Sequence, residues 1–281
     1  MKELKIILMI KYIIHTADIH IRNHRRMEEY QNKLQWFIDE CKNICCEHDP
    51  NEVAVVISGD LLHSKTDISP EAYAMASWLL NCLDETCKTI VIAGNHDKIE
   101  NNDRLDPLTA IFSMCNFKQT YYLDKELNYQ SGCLIDDNII WCLYSSFDNF
   151  NKPNIDEIKI SNPDSVYIGL FHGEVKSSKT DAGYQSSNGF DASYFDGLNF
   201  CLMGHIHKRQ TIDYEGIKLV YPGSLIQQDH GENISNHGYL LWNVYEETFE
   251  SKNFTDDCYG FYTFEIKKIE DLDENNEELI N

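Results

Sequence analysis

The sequence lacks four features that would set it apart from ordinary globular proteins. No apolar run approaches the length of a membrane-spanning helix, so no membrane partner is expected. None of the ten cysteines forms a C-x-x-C pair, which speaks against a zinc knuckle and predicts a reducing, intracellular and cytoplasmic setting. The apolar run 6–10 is too short for a signal-peptide core, and no small-residue cleavage site follows it. No repeat or low-complexity segment is present.

Positive charge is also scarce. The chain has 24 Lys and Arg against 46 Asp and Glu, a net charge of -22, which at first argues against a nucleic-acid partner. Near the motifs described below, however, cations and non-ligand acids are about equally frequent, so those loops are close to neutral. The cations there are Arg22, Arg25, Arg26, Lys65, Lys98, Arg104, Lys176, Lys179, Lys208 and Arg209. Part of the acid excess lies in the segment 270–278, which is typical of a solvated tail.

The first part of the chain alternates strands and helices. Short β-branched apolar runs predict the strands, and two helices begin with a capping residue before proline, at Ser69-Pro70 and Asp106-Pro107. Predicted strands cover 11–15, 53–57 and 89–93, and predicted helices cover 27–47, 69–87 and 106–114. This alternation predicts parallel strands joined by right-handed crossovers.

The second part of the chain is rich in short strands. They are predicted at 118–123, 132–135, 138–144, 166–171, 199–203, 209–213, 217–221, 239–244 and 261–266. Asp136-Asp137 predicts a hairpin turn, and the Ser/Gly/Lys-rich segment 172–194 is a candidate substrate loop. We expect an α/β fold with two mixed β-sheets packed face to face and helices outside, a four-layer αββα sandwich. One domain is expected over 1–266, followed by an acidic tail over 267–281.

Five motifs repeat one arrangement, in which polar side chains follow directly after an apolar run. In the run 90–97, three β-branched residues lead to a glycine and then to Asn95, His96 and Asp97. The other four motifs are Asp18-Ile19-His20, the segment G-D-L-L-H at 59–63, Phe171-His172-Gly173, and the segment G-H-I-H at 204–207. Because loops at strand ends are where α/β sheets place their chemistry, the repetition predicts one functional site.

The residue types in these motifs indicate a metal site. Carboxylate, amide and imidazole ligands suit a pair of borderline divalent ions, which lie roughly 3.5–4 Å apart in two-metal sites. The predicted metal ligands are Asp18, His20, Asp60, Asn95, His172, His205 and His207. His96 follows a ligand and is expected to face the substrate, with Asp97 placed to orient its ring. A single histidine at a strand end is usually structural, but seven potential ligand residues in this order would rarely occur by chance.

This constellation resembles the calcineurin-like metallophosphoesterase superfamily, whose pattern is D-x-H, G-D, G-N-H-D/E, H and G-H-x-H. All five blocks are present in order between residues 18 and 207. The resemblance implies a metallophosphoesterase that holds two metals, with Asp60 as the bridging ligand. It would assign Asp18, His20 and His207, together with Asp60, as the ligands of one metal. Asn95, His172 and His205 would then hold the other metal.

Within the superfamily, the chain is most similar to SbcD-like nuclease subunits of double-strand-break repair complexes. The similarity lies in H-T-A-D-I-H at 15–20, in His63, and in Y-P-G-S-L at 221–225 followed by Gly231-Glu232. It implies a DNA exonuclease or endonuclease in repair or recombination, with two manganese ions; Fe, Zn and Mg stay open. His63 would position the DNA end and His96 would act in catalysis. The family also implies a coiled-coil ATPase partner, although only the segment 267–281 follows the last predicted strand.

Several alternatives stay open. The chain could be a phosphatase or phosphodiesterase for a small molecule or phosphoprotein, or a metal-binding scaffold without turnover. His63 could simply pack in its loop, and the pair Arg25-Arg26 could be either a solvated helix start or a phosphate clamp. A homodimer is open as well. The remaining histidines are interpreted as structural or surface residues: His15, His24, His48, His230 and His237.

Overall fold

Two six-stranded β-sheets form the centre of the protein, and the computed structural model describes residues 9–99, 104–149, 151–254 and 259–262. In chain order the strands are β1 (Tyr12–Thr16), β2 (Val53–Ser58), β3 (Lys88–Ile92), β4 (Thr120–Tyr122), β5 (Gly132–Asp136), β6 (Ile139–Tyr144), β7 (Val166–His172), β8 (Phe200–Gly204), β9 (Gln210–Tyr214), β10 (Ile217–Tyr221), β11 (Gly238–Asn243) and β12 (Thr248–Asn253). The α-helices are α1 (Met27–Glu47), α2 (Pro70–Asp84), α3 (Pro107–Met114), α4 (Leu123–Glu126) and α5 (Ile155–Ser161). None of the described helices is both long and apolar enough to cross a membrane.

Both sheets are mixed. The first has the order β12-β11-β1-β2-β3-β4, with β1 to β4 parallel and β11 and β12 antiparallel. The second has the order β5-β6-β7-β8-β10-β9, with a parallel centre and antiparallel edge strands β5 and β9. The predicted fold class of two mixed β-sheets flanked by helices is therefore confirmed.

Alternation along the strands divides the apolar core into layers. Ile13 of β1 belongs to the cluster between the two sheets, together with Trp141 and Trp242. The neighbouring Ile14 belongs to the cluster that packs the first sheet against α1 and α2. A third cluster lies on the other face of the second sheet and includes Ile155 of α5. Because side chains alternate between faces with a period of two, one strand contributes to two layers.

The predicted helix starts are formed by side-chain caps. The Ser69 hydroxyl accepts a hydrogen bond from the backbone N–H of Ala72 at 3.3 Å, and a carboxylate oxygen of Asp106 accepts one from Thr109 at 2.7 Å. In each case a proline occupies the first turn, where its missing N–H has no consequence. The bounds predicted for α1 match the structure, and α3 likewise ends at Met114 as predicted.

The structure corrects the prediction near the end of the chain. Phe261 and Tyr262 are not in a strand, and the rest of the predicted strand 261–266 lies outside the described residues, as does the acidic tail 267–281. The edge strand is instead β12, which was not predicted because its only apolar residue is Phe249. The helices α4 and α5 were not predicted either. The β5–β6 turn falls at residues 137–138, since Asp136 is still paired with Ile139.

Candidate metal centre

Strands of both sheets end at one edge of the sandwich, and the candidate ligands follow them there. Asp18, Asp60 and Asn95 come shortly after β1, β2 and β3, which run parallel. His172 is the last residue of β7, and His205 comes directly after the parallel β8. The shared direction of the strands within each sheet brings the loops of all five motifs to the same place.

Close backbone approach explains the glycines of these motifs. A Cβ atom on Gly94 would overlap the Asp60 carboxylate, and one on Gly204 would overlap the carbonyl oxygen of Ser58. Gly204 therefore lets the second sheet come against the end of β2 in the first. A larger residue at position 94 would displace the Asp60 carboxylate, and one at position 204 would push the two sheets apart.

The structure brings all seven predicted ligands together around Asp60. On one side, Asp60 Oδ2 lies 3.5 Å from His20 Nε2, which lies 3.1 Å from His207 Nε2. On the other side, the same oxygen lies 3.2 Å from His172 Nε2. One carboxylate oxygen is therefore shared by imidazoles from two directions, as a bridging ligand requires.

The remaining ligands complete the two groups. Asn95 Oδ1 lies 3.2 Å from His172 Nε2 and 2.9 Å from His205 Nδ1. Asp18 Oδ1 lies 3.9 Å from His207 Nε2. Ligand atoms lie within 4.8 Å of one another in the set Asp18, His20 and His207, and also in the set Asp18, Asp60 and His172. Asp18 is thus close to both groups, although the resemblance assigned it to one metal.

Burial shapes the charge state of these residues. Burial raises the pKa of Asp18 to about 6. Burial alone would lower the pKa of His172, but the charges of Asp60 and Asp18 outweigh it and raise that pKa to about 10. The carboxylates thus create a negative potential strong enough to hold a proton on a buried imidazole. The same potential favours a bound cation.

Two of the candidate metal-ligating histidines are held by hydrogen-bond partners on the side away from Asp60. His172 Nδ1 donates to the carbonyl oxygen of Ser58 at 2.8 Å, which leaves Nε2 facing Asp60. His207 Nδ1 lies 2.6 Å from Glu232 Oε1, and the other oxygen of Glu232 accepts from Ser224 at 2.8 Å. Such partners fix the tautomer and the ring orientation of a metal ligand. Glu232 belongs to the Gly231-Glu232 motif, for which the sequence pattern predicted no role.

His96 and His63 lie beside the ligands. His96 Nδ1 donates to the carbonyl oxygen of His63 at 2.8 Å, which leaves its Nε2 available for a substrate. The two rings are stacked with centroids 5.3 Å apart, and the His96 ring lies 4.7 Å from that of His20. His20, His63 and His96 also bring one nitrogen each within 4.8 Å of the others. Because these three nitrogens could also hold a metal ion, a test of the substrate role of His96 must include a measurement of bound metal.

The structure corrects the partner predicted for Asp97. Its fully buried carboxylate accepts hydrogen bonds from the backbone N–H groups of Leu61, Leu62 and Gly94, at 3.3, 2.9 and 2.9 Å. These bonds join the loop after β2 to the loop after β3. Asp97 thus fixes the backbone that carries His63 and Asn95, whereas the His96 ring is oriented by a carbonyl group.

The arginines near the first motif differ in their surroundings. Arg26 is ion-paired with Glu29 and donates to the carbonyl oxygen of Gln227 at 2.6 Å, so it supports the start of α1 and is not a phosphate clamp. Arg25 is exposed. Arg22 instead lies against His63, with Nη1 3.0 Å from Nε2 of that ring.

A cavity of about 350 Å³ opens beside His205 and His207. The predicted substrate loop forms part of its wall. This loop is folded back on itself, because the N–H of Ser177 donates to the carbonyl oxygen of Ser186 and the N–H of Ser186 donates to that of Ser178, at 3.0 and 2.8 Å. Four acids and a single lysine line the cavity: Glu174, Asp181, Asp229, Glu232 and Lys208. This side of the site is therefore acidic.

Comparison with known proteins agrees with this geometry. The profile of the calcineurin-like phosphoesterase family matches residues 11–209. An uncharacterised protein of Acanthamoeba polyphaga mimivirus is 36% identical over 266 residues, or 92% of this chain, although the chain spans only 19% of that relative's length. A putative phosphoesterase of Invertebrate iridescent virus 6 is 25% identical over 243 residues, 84% of this chain and 76% of that protein.

Among solved structures, an archaeal phosphodiesterase is 12% identical with a TM-score of 0.41, and the match covers 86% of this chain and 99% of that one. The family profile extends over most of the chain and includes all five motifs. The chain therefore belongs to the calcineurin-like phosphoesterase family, whose chemistry is metal-dependent phosphoester hydrolysis.

Proposed function

We propose that this chain hydrolyses phosphodiesters with two divalent cations held by the seven ligands around Asp60. The observation that carries the proposal is the shared Asp60 oxygen, which lies 3.5 Å from a nitrogen of His20 and 3.2 Å from a nitrogen of His172. A carboxylate between two imidazole groups fits a bridging ligand better than it fits a structural ion pair.

The donor set fits a pair of borderline cations. Imidazole nitrogens, carboxylates and one amide oxygen suit Mn, Fe or Zn better than Mg, which prefers oxygen ligands alone. We propose manganese. When bound, such cations supply Lewis acidity toward the phosphoryl group and toward an attacking water.

His96 is proposed to act on the substrate. Its Nδ1–H is occupied by the carbonyl oxygen of His63, so only Nε2 can exchange a proton with a bound phosphoester. That nitrogen can deliver a proton to the leaving oxygen. The His63 ring stacks on the His96 ring, and the buried carboxylate of Asp97 fixes the backbone next to His96. His96 is therefore positioned before the substrate arrives.

Within this chemistry, we propose a DNA nuclease of the SbcD type that acts in repair or recombination. The placement of His63 against His96 supports it, because the histidine that would position a DNA end adjoins the one that would act on it. A coiled-coil ATPase partner belongs to the same proposal. If the proposal is right, His63→Asn lowers the rate on duplex ends more than the rate on a small diester.

A second candidate is a phosphodiesterase or phosphatase for a small molecule. The acidic cavity beside His205 and His207 favours it, since four acids against one lysine repel a long polyanion on that side. A neutral or cationic leaving group would fit there better than a nucleic-acid strand.

An assay of the purified protein with manganese tests both candidates. Labelled duplex and single-stranded DNA are compared with an aryl phosphate diester and an aryl phosphate monoester. The nuclease proposal predicts cleavage of DNA and of the diester that chelator abolishes. Cleavage of the small esters alone would favour the second candidate. A folded, metal-loaded protein that cleaves none of the substrates would show a scaffold without turnover.

A further inference from the structure

Arg22 lies at the edge of the candidate metal centre and is held there by two residues. Its Nη1 lies 3.0 Å from His63 Nε2. Nε and Nη2 donate to the side chain of Gln228 at 3.4 and 3.3 Å, and Nη2 also donates to its carbonyl oxygen at 3.4 Å. With contacts on two sides, the guanidinium plane is fixed before any ligand binds.

The support under Arg22 is itself buried and fixed. Gln228 is only 3% exposed, and its side-chain amide donates to the carbonyl oxygens of Ile19 and Ile226 at 3.1 and 2.9 Å. Its backbone N–H donates to Glu232, the residue that also holds His207. The position of Arg22 is therefore tied to the position of a candidate metal ligand.

The charge of Arg22 has no counter-ion within the described part of the chain. No described carboxylate forms an ion pair with it, whereas Arg26 nearby is paired with Glu29. A guanidinium has five N–H groups, and its four described hydrogen bonds leave at least one on Nη1 for a ligand. A half-buried, unpaired guanidinium is a ready site for an anion, and its fork matches phosphate oxygens.

The His63 ring separates Arg22 from the metal ligands. One nitrogen of that ring faces Arg22, and the other lies 3.5 Å from Nδ1 of His20. Arg22 thus lies across the His63 ring from His20, beside the group of ligands that would hold the cleaved phosphate and not within it. We propose that Arg22 binds the phosphate next to the scissile one, so that the site takes a phosphodiester chain with neighbouring phosphates. This inference rests on the proposed phosphodiesterase function and names its substrate class.

A binding experiment tests the proposal without relying on turnover. The ligands are the dithymidine diester TpT and its forms with an additional phosphate at the 5′ or the 3′ end. All proteins carry His96→Asn to slow cleavage and are loaded with manganese, and affinities are measured by calorimetry. The protein with Arg22 is expected to bind one phosphorylated form about tenfold or more tightly than TpT, the effect of one charge-assisted hydrogen-bonded contact.

Arg22→Met is expected to remove this preference. Arg22→Lys is expected to keep part of it, because lysine retains the charge but not the fork. Arg25→Met is the matched control, since Arg25 is exposed and three residues away, and it should keep the full preference. Unfolding temperatures confirm that each variant is folded, and Arg22→Lys supplies the test if Arg22→Met does not fold.

Three results would overturn the proposal: no preference in the parent protein, an unchanged preference in Arg22→Met, or an equal loss of affinity for TpT and its phosphorylated forms. The last would show that Arg22 only supports His63. Turnover of a small aryl diester by the protein with His96 intact is measured separately. Its absence, with the binding preference retained, would contradict the proposed function and leave Arg22 as a phosphate-binding residue beside the candidate metal centre.

Discussion

Four candidate ligands have left-handed backbone conformations that non-glycine residues rarely adopt. The φ angles of Asp18, His20 and Asp60 are 52°, 50° and 53°, and that of His205 is 95°. Each such conformation costs on the order of 1–3 kcal/mol and persists only where the surroundings enforce it. Around Asp60, the buried hydrogen bonds of Asp97 and the close approach at Gly94 supply that enforcement. The backbone N–H groups of Asp18 and His20 donate to the carbonyl oxygens of Gly59 and Asp60 at 3.1 and 2.9 Å. The backbone N–H of His205 donates to the Asp18 carboxylate at 3.0 Å. The strain coincides with the residues that would hold the metals, which indicates a site selected for geometry over stability.

The role of His96 separates metal binding from catalysis. His96→Asn is expected to lower turnover of a phosphodiester by about 10²-fold or more, the usual contribution of a general acid or base. The variant should retain the metal content of the parent protein, because Nε2 of His96 is assigned to the substrate. Elemental analysis beside the rate measurement decides the matter. Loss of metal in this variant would instead make His96 a ligand, as the proximity of His20 and His63 allows.

Glu232 gives a second prediction for a single residue. Removing the charge that accepts the His207 hydrogen bond should weaken metal binding, because the imidazole loses its fixed tautomer and part of its basicity. Glu232→Gln is expected to lower metal affinity by about 10–100-fold, measured by competition with a fluorescent chelator. The exposed Glu246→Gln serves as the control. Equal affinities in both variants would show that Glu232 only braces its loop.

At the scale of helices and strands, the sequence predicted what depends on local patterns. The parallel strands were found from β-branched runs, and α2 and α3 from a cap before proline. The ligands were found because each lies at or just after the end of a strand. The strand β12 was missed because its side chains are mostly polar, so that its extended conformation depends on pairing with β11 and not on its own sequence pattern. The pairs Arg22–Gln228 and His207–Glu232 were missed because the partners lie 206 and 25 residues apart in sequence.

A buried histidine joins the two sheets and gives a prediction for stability. His15 Nε2 of β1 lies 3.1 Å from Ser58 Oγ of β2 and 3.1 Å from the carbonyl oxygen of Met203 in β8. Burial lowers the pKa of His15 to about 3, so the ring stays neutral in the folded protein. In the unfolded chain it takes up a proton near its ordinary pKa of about 6.5. Its contribution to stability is therefore complete above pH 6.5 and is lost as the pH falls from there toward 3.

Urea denaturation between pH 7.5 and 5 tests this prediction. The parent protein is expected to lose stability faster than His15→Gln as the pH falls, by up to about 1 kcal/mol per pH unit at the lower end. Since other groups titrate equally in both proteins, the difference between the two curves isolates His15. Parallel curves would show that His15 does not stay neutral in the folded protein.

The overall charge of the protein limits how a nucleic acid could bind. A net charge of -22 repels a polyanion at long range, and the cavity beside His205 is acidic. Binding would then depend on the metals and on a few cations such as Arg22. We expect weak DNA affinity with a shallow salt dependence, because each neutralised phosphate adds about one unit to the slope of log affinity against log salt. Fluorescence anisotropy with a labelled oligonucleotide across a salt series measures it, and tight binding with a steep slope would contradict this account.

Titration of the metal-free protein with manganese shows whether Asp60 holds two cations in one centre that hydrolyses phosphodiesters. Bound metal and hydrolysis of an aryl phosphodiester are measured in the same samples. We expect two ions per chain and activity that rises as the second ion binds. Asp60→Asn should bind less than half as much metal and show no turnover. Full activity with a single ion, or two ions retained in Asp60→Asn, would rule out a two-cation centre bridged by Asp60.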